Sequence, residues 1–356
     1  MPDLTALSPS ATITVRALAA DEPANWPAAL TGPATFTALD SWSNLVRKIY
    51  KYSVYRFETE IEGEVTGLLA LTQVQHPIFG NYLTTAPFGS YGGFAYADEA
   101  SRNLLLNEAR RLLAETGAEY VNLRFDAGDQ APPSGWVQHP VYCTYRLDLS
   151  PDLDRLLASF SSDHRNHVRK SLKKGFTVKF GGLELLAETY EALARSMHEL
   201  GSPYHAPAYL ERMARELGES LEFAVMSAAD GKLAGAGVFI LHGKVATNLH
   251  ANLLRAYRAD YAGEYLYWQV IERYAQRGYQ VFDIGRSLNG SGNETFKLKW
   301  KPRQEPLAYW YALRPGTELP ALNQKNPKFA AAIWLWKRLP AFLVRPLGPF
   351  LIRGLA

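Results

Sequence analysis

The chain has 356 residues, 47% of them hydrophobic and 21% charged. At about 150 residues per domain this is room for two globular domains, and it excludes a disordered or collagen-like chain. A single cysteine, Cys143, excludes a disulfide scaffold and a Cys-rich metal site, and it fits a reducing compartment. The formal charge of +3 is too small to mark a nucleic-acid protein.

From Met1 to Ala20 there is Asp3 and no continuous apolar core, so this segment does not read as a secretory signal. No stretch reaches the roughly 18 uninterrupted apolar residues of a spanning helix. The expected location is the cytoplasm, with peripheral attachment to the inner membrane face as a further expectation. A hairpin is predicted first, with strands at 53–61 and 64–75 joined at Glu62-Gly63. A glycine-rich loop follows at 84–94. A helix is predicted over 99–116, with Leu104, Leu105, Ala109, Leu112 and Leu113 on one stripe and Gly117 ending it. A strand comes next at 119–125.

The second half repeats that order. Strands are predicted at 221–228, 232–241 and 244–252, with a turn at Asp230-Gly231. A helix over 263–277 carries Leu266, Trp268, Val270, Ile271 and Tyr274, and Gly278 ends it before a strand at 279–284. The two helix-ending glycines stand 161 residues apart and the hairpin turns 168 apart, which points to a duplicated domain.

Between the halves, Asp163 is placed to cap a helix bearing Arg165, Arg169, Lys170, Lys173 and Lys174, with His164 and His167 among them. Arg165, Arg169 and Lys173 fall on one face, four apart. A helix of one charge sign repels itself unless an anion sits nearby, so this face is either solvated or holds phosphate.

The densest segment is 281–300, VFDIGRSLNGSGNETFKLKW. A strand is expected to end at Asp283-Ile284-Gly285, followed by a Gly-Ser loop whose backbone N–H groups can turn toward a ligand. Phe296, Leu298 and Trp300 alternate with Lys297 and Lys299, which reads as a strand with an apolar and a basic face. Asp283 is either a general base or a cap for the turn. Phosphate-loop, zinc-helix, nucleophile-elbow and dinucleotide motifs are absent. No histidine pair has an accompanying acid at metal-ligand spacing, and His164 and His167 lie in a basic helix, so no metal is expected.

These segments resemble the FemAB/FemX family. SFSSDHRNHVRKSLKKGFTV (159–178), LGSPYHAPAYLERM (200–213), GYQVFDIGRSLNGSGNETFKLKW (278–300) and PFGSYGGF (87–94) match its pattern in order. The tail at 326–355 is similar to that of FemAB-like proteins associated with exosortase/PEP-CTERM polysaccharide systems. The resemblance implies an α+β fold of two tandem GNAT domains, each a mixed, mainly antiparallel sheet flanked by helices. The division expected is 1–150 and 151–315, with 316–356 packing back on the first domain. It also implies aminoacyl or acyl transfer to an amine of a lipid-linked or nucleotide-linked cell-envelope precursor. The donor would be aminoacyl-tRNA or acyl-CoA, with no permanently bound cofactor.

Lys297, following Phe296, matches the family lysine that stabilises the reacting carbonyl. A fixed cation lowers the barrier to the oxyanion that forms when an amine attacks an ester or thioester. Arg286 and Ser287 are then expected to orient donor or acceptor. Arg165, Arg169 and Lys173 would hold a diphosphate or the tRNA end. Tyr91 would contact the acceptor, and Tyr261 would donate a hydrogen bond. Two departures stand out. Tyr204-His205-Ala206-Pro207 lacks the family's phosphate-binding arginine, leaving His205 or the basic helix to substitute. Arg258-Ala259-Asp260-Tyr261-Ala262-Gly263 has Tyr261 where an acetyl-CoA loop needs its first glycine, which argues against ordinary acetyl-CoA binding.

The tail carries Lys325, Lys328, Lys337, Arg338, Arg345 and Arg353 and no acid, so the first 324 residues are net −3. Trp334, Trp336, Phe342 and Phe350 with these cations suit an anionic membrane surface, while Pro340, Pro346 and Pro349 should prevent one long helix. Three functions therefore compete: a tRNA-dependent aminoacyltransferase, an acyl-CoA-dependent N-acyltransferase acting on an exopolysaccharide sugar amine, and a non-catalytic membrane-surface assembly protein.

Overall fold

The computed structural model describes residues 12–24, 26–31, 36–126, 130–140, 142–320 and 330–356. Lys325 and Lys328 of the tail lie outside them.

Two eight-stranded sheets are built on the same plan. In the first, Ile13–Leu18, Ser53–Ile61, Glu64–His76 and Gly80–Thr84 run antiparallel in order. Tyr120–Phe125 then adds in parallel to Gly80–Thr84. In the second, Thr177–Gly181, Leu221–Ser227, Leu233–His242 and Val245–Leu253 are antiparallel, and Val281–Asp283 adds in parallel to Val245–Leu253. A parallel neighbour needs a crossover, and each half supplies one helix for it: Glu99–Glu115 and Ala262–Gln276.

The helices form where their apolar stripes lie. Asp98 caps the first by accepting from Ser101 N, and Gly117 follows its end with φ +65°. Leu105, Ala109 and Leu112 are buried against the sheet; truncating one such leucine costs about 2–5 kcal/mol. Leu266, Val270, Ile271 and Tyr274 do the same in the second half.

The order of strands along the chain does not follow the division at 150 and 315. Tyr142–Asp148 pairs with Val281–Asp283, Ser287–Leu288 and Arg303–Pro306, so it belongs to the second sheet. Ala308–Leu313 pairs with Tyr120–Phe125 and Val137–Gln138, so it belongs to the first. Each half gives one strand to the other. A third core lies between the halves, where Trp42, Leu45 and Val46 of helix Asp40–Tyr50 meet Tyr209, Leu210 and Met213 of helix Pro207–Leu217.

The tail forms two helices, Ala330–Trp336 and Ala341–Ile352. Pro340 separates them, but Pro346 and Pro349 lie inside the second and do not break it. Each removes one intrahelical donor. Packing of Val344 and Gly348 against the body holds the helix regardless. The tail touches both halves: the Tyr52 and Tyr82 hydroxyls donate to the carbonyls of Arg353 and Gly354, and Trp336 Nε1 donates to Ser202 O at 3.2 Å.

Candidate active site

The second sheet opens where its parallel pair ends. Val245, Ala246 and Thr247 pair with Val281, Phe282 and Asp283, and beyond them Val245–Leu253 continues while its neighbour turns away at Ile284-Gly285. Gly285 has φ +82°, and a Cβ there would come within 3.1 Å of Asn248 O, so this turn requires glycine.

Asp283 is fully buried and accepts from three donors. Gly285 N and Thr144 Oγ1 each donate to Oδ1 at 2.8 Å, and the Tyr91 hydroxyl donates to Oδ2 at 2.5 Å. The bond from Gly285 N makes Asp283 the cap of the turn rather than a free base. Tyr91 also accepts from Arg146 Nη2 at 2.7 Å. Burial and the neighbouring Asp283 push the Tyr91 hydroxyl well above its usual pKa, which keeps the proton on it. Tyr91, expected from the sequence to contact the acceptor, is a buried bridge between the halves. Arg146, on the exchanged strand, also pairs with Asp126 and Glu305. No local motif marks Arg146, because its partners come from distant segments.

The FKLKW segment is not a strand. Gly292–Leu298 is a helix capped by Ser291, whose Oγ accepts from Glu294 N at 3.2 Å. Alternation of Phe296, Leu298 and Trp300 fits a short strand, but the Ser291-x-x-Glu294 pattern is that of a helix start, and here the Glu294 carboxylate reaches back to accept from Gly290 N. The helix turns Lys297 inward. Its Nζ donates to Gly285 O and Arg286 O, both at 2.7 Å, and lies 5.5 Å from the Tyr145 ring. Burial lowers its pKa to about 7, against the pull of Asp283 and with added repulsion from Arg286. These two carbonyls fix the Nζ beside the turn that follows Asp283.

Arg286 is half-buried, bonded to the Tyr309 hydroxyl and stacked 4.9 Å from the centre of the Tyr142 ring. With Arg124, Tyr82, Tyr120 and Tyr311 it lines a cavity of about 160 Å³ between the halves. Ser287 is buried, and its hydroxyl has no hydrogen-bond partner among the described residues.

The other expected site residues separate into different places. Phe296 packs on the start of Ala262–Gln276: a Cβ on Gly263 would meet its ring at 3.2 Å. Tyr261 holds a left-handed φ of +60° and stacks on His167 at 4.6 Å. Helix Ser162–Leu172 is capped by Ser161, not Asp163. Asp163 instead faces His167 at 3.4 Å. Arg165 folds back onto the carbonyls of Ala158 and Phe160, so it clamps its own helix start. Arg169 and Lys173 remain exposed, and Lys174 pairs with Asp260 at 2.6 Å.

His205 cannot replace the missing phosphate-binding arginine. It is buried, bonded to the Tyr50 hydroxyl and stacked 3.8 Å over Tyr209. Burial holds its pKa well below the ordinary value, so it is neutral.

His164, His167 and Glu264 bring ligand-type atoms within 4.8 Å of one another. Glu264 is the accompanying acid that the sequence pattern lacked, supplied from 97 residues away. Its carboxylate also faces Lys299 at 3.6 Å.

Residues 159–298 match the family model described as an acetyltransferase (GNAT) domain. No curated protein matches the sequence. The crystal structure of FemX is 14% identical, covering 79% of this chain and 92% of its own, with a TM-score of 0.62. The chain has the tandem GNAT fold seen in FemX. A tandem GNAT protein from the clavulanic acid biosynthesis pathway is likewise 14% identical, with 85% and 98% covered and a TM-score of 0.55. The C-terminal domain of a putative lysylphosphatidylglycerol synthetase from Agrobacterium fabrum is also 14% identical, with 77% and 87% covered and a TM-score of 0.52. The doubled GNAT fold accounts for the repeated sheet plan, and Lys297 stands at the opening of its second copy.

Proposed function

We propose that this protein transfers an aminoacyl or acyl group to an amine of a cell-envelope precursor, and that Lys297 stabilises the oxyanion of that transfer. The carrying observation is the environment of Lys297: a buried side chain whose Nζ is fixed by two carbonyls and carries its charge below a pKa of about 7. A preorganised cation in a dry site stabilises developing negative charge far more than one in water, because nothing must reorganise as the charge forms. The amine attacks the carbonyl carbon of the donor ester or thioester. The carbonyl oxygen takes the charge, and collapse expels the tRNA hydroxyl or the thiol. The proton of the attacking amine leaves through water or substrate. Arg286, beside the turn that Lys297 holds, supplies the fixed charge to orient an anionic part of the substrate.

The aminoacyl reading takes first place. An acyl-CoA site on a helix start needs open N–H groups and close backbone approach. Here Phe296 covers Gly263, and Glu264 adds a negative charge to the first turn of Ala262–Gln276. The exposed Arg169 and Lys173 give a tRNA end its phosphate contacts. The GNAT match over 159–298 favours the second reading, an acyl-CoA-dependent N-acyltransferase acting on a sugar amine.

Calorimetric titration of the purified protein with acetyl-CoA and with charged tRNA separates them. Salt-sensitive tRNA binding without acetyl-CoA binding is expected. Micromolar acetyl-CoA binding reverses the order, and silence from both returns the non-catalytic scaffold.

A further inference from the structure

Among the described residues, every exposed phenylalanine and tryptophan lies between 334 and 350. Phe342 is 73% exposed and Trp334 57%, and Leu335, Leu343, Leu347 and Phe350 are exposed with them. These side chains do not sit on a frayed end. His198 Nε2 pairs with Trp336 O at 3.0 Å, and His76 Nε2 with Phe350 O at 2.9 Å. A Cβ on Gly348 would lie 2.8 Å from Tyr204 O, so the second tail helix is seated in direct backbone contact with the body.

The seated side of that helix is Val344 and Gly348. The exposed side is Phe342, Leu343, Pro346 and Leu347, with Phe350 at its edge against His76. Ile78, 62% exposed, extends this face from the turn before Gly80: its N–H donates to the His76 ring, which lies 4.7 Å from that of Phe350. The result is an apolar surface assembled from two separate segments and held rigidly. Soluble monomers rarely expose such patches without a partner.

The charges around it select the partner. Residues 330–356 contain Lys337, Arg338, Arg345 and Arg353 and no acid. Arg345 is paired with Glu191, while the Arg338 guanidinium lies 3.8 Å over the Trp334 ring at the edge of the patch. Tryptophan and arginine together belong at the boundary of apolar and aqueous phases, where the ring and stem are buried and the charge stays wet. The 12-residue helix is about 18 Å long, too short to cross a hydrocarbon core of about 30 Å but suited to lie in its surface. No described helix is long and apolar enough to cross a membrane.

We infer that this face docks on an anionic phospholipid bilayer, with Phe342, Leu343, Leu347 and Phe350 entering the acyl boundary and the exposed Lys337 and Arg338 at the headgroups. The inference stands apart from the transfer chemistry, because none of these residues touches Lys297.

Co-sedimentation of the full chain with phosphatidylcholine vesicles, with and without about 30% phosphatidylglycerol, tests it. Binding to the anionic vesicles is expected to exceed binding to the neutral ones by about tenfold or more and to fall in about 0.5 M salt. Phe342→Glu should abolish it without altering the circular dichroism spectrum. Lys337→Ala and Arg338→Ala should each weaken it about fivefold. These two variants decide the matter should Phe342→Glu misfold. Equal partition into both vesicle types overturns the inference. So does a Phe342-dependent dimer that ignores vesicles, which would make the patch a protein interface.

Discussion

The two sheets place a threonine and a polar partner at the same point of their parallel pairs, and treat them differently. In the first, Thr84 stands opposite Asn122; in the second, Thr247 stands opposite Asp283. Tyr120–Phe125 runs on past Asn122 and stays paired with Ala308–Leu313. Val281–Asp283 stops at Asp283 and turns. Asn122 is left with a buried Nδ2 that finds no partner among the described residues, while Asp283 collects three donors. Only the second arrangement frees two backbone carbonyls for a lysine. A strand ended three residues early turns a structural position into a chemical one.

The largest expected effect breaks the better-satisfied of the two positions. Asp283→Asn removes the buried charge that faces Arg146 and turns an N–H₂ toward a group that now donates to the carboxylate, and should cost about 3–5 kcal/mol in urea unfolding. Asn122→Ala should cost about 1 kcal/mol. Next comes the lysine. Lys297→Met should lower turnover by about 10²–10³-fold, while Asn122→Ala leaves it nearly unchanged. Unchanged turnover in the lysine variant would remove Lys297 from the mechanism.

The same lysine gives a pH signature. Its folded pKa of about 7 lies below the unfolded value of about 10.4, so the unfolded state binds the extra proton between them. Its contribution to stability therefore rises with pH through that window, by at most about 1.4 kcal/mol per unit. Turnover that depends on the ammonium falls through the same lower value. Lys297→Met should abolish both trends. Tyr91→Phe, which removes the bridge to Asp283 but leaves Arg146 nearby, should cost about 1–2 kcal/mol in the same unfolding assay. The smallest effect belongs to the exposed cations. Arg169→Ala and Lys173→Ala should each change stability by under about 0.5 kcal/mol, yet each should reduce the salt slope of tRNA binding by about 0.7.

Much of the plan was legible before the structure. The hairpins, the two crossover helices and their terminal glycines follow from periodicity and turn chemistry, and the duplication follows from their spacing. The second-half site was half legible. Lys297 and Arg286 stand in a short dense segment, but the alternating Phe296-Lys297-Leu298 run satisfied a strand pattern while Ser291 and Glu294 were already closing a helix. The rest could not be read locally. Asp283 owes its three donors to Tyr91, Thr144 and Gly285, two of them on other elements. His205 became inert because Tyr50 arrives from the other half, while Tyr209 stacks on it from four residues along. Glu264 meets His164 and His167 only through packing of two helices. Nothing in the pattern of Tyr142–Asp148 says which sheet it will join.

The reciprocal exchange of Tyr142–Asp148 and Ala308–Leu313 also sets a timetable for synthesis. When the ribosome has completed Phe125, the first sheet still lacks the neighbour that will cover its open edge, and that neighbour emerges about 190 residues later. At about 5–20 residues per second this leaves the edge bare for about 10–40 s. The nascent first half is thus an unfinished template throughout translation of the second, and the protein's demand on chaperones should be greatest in that interval.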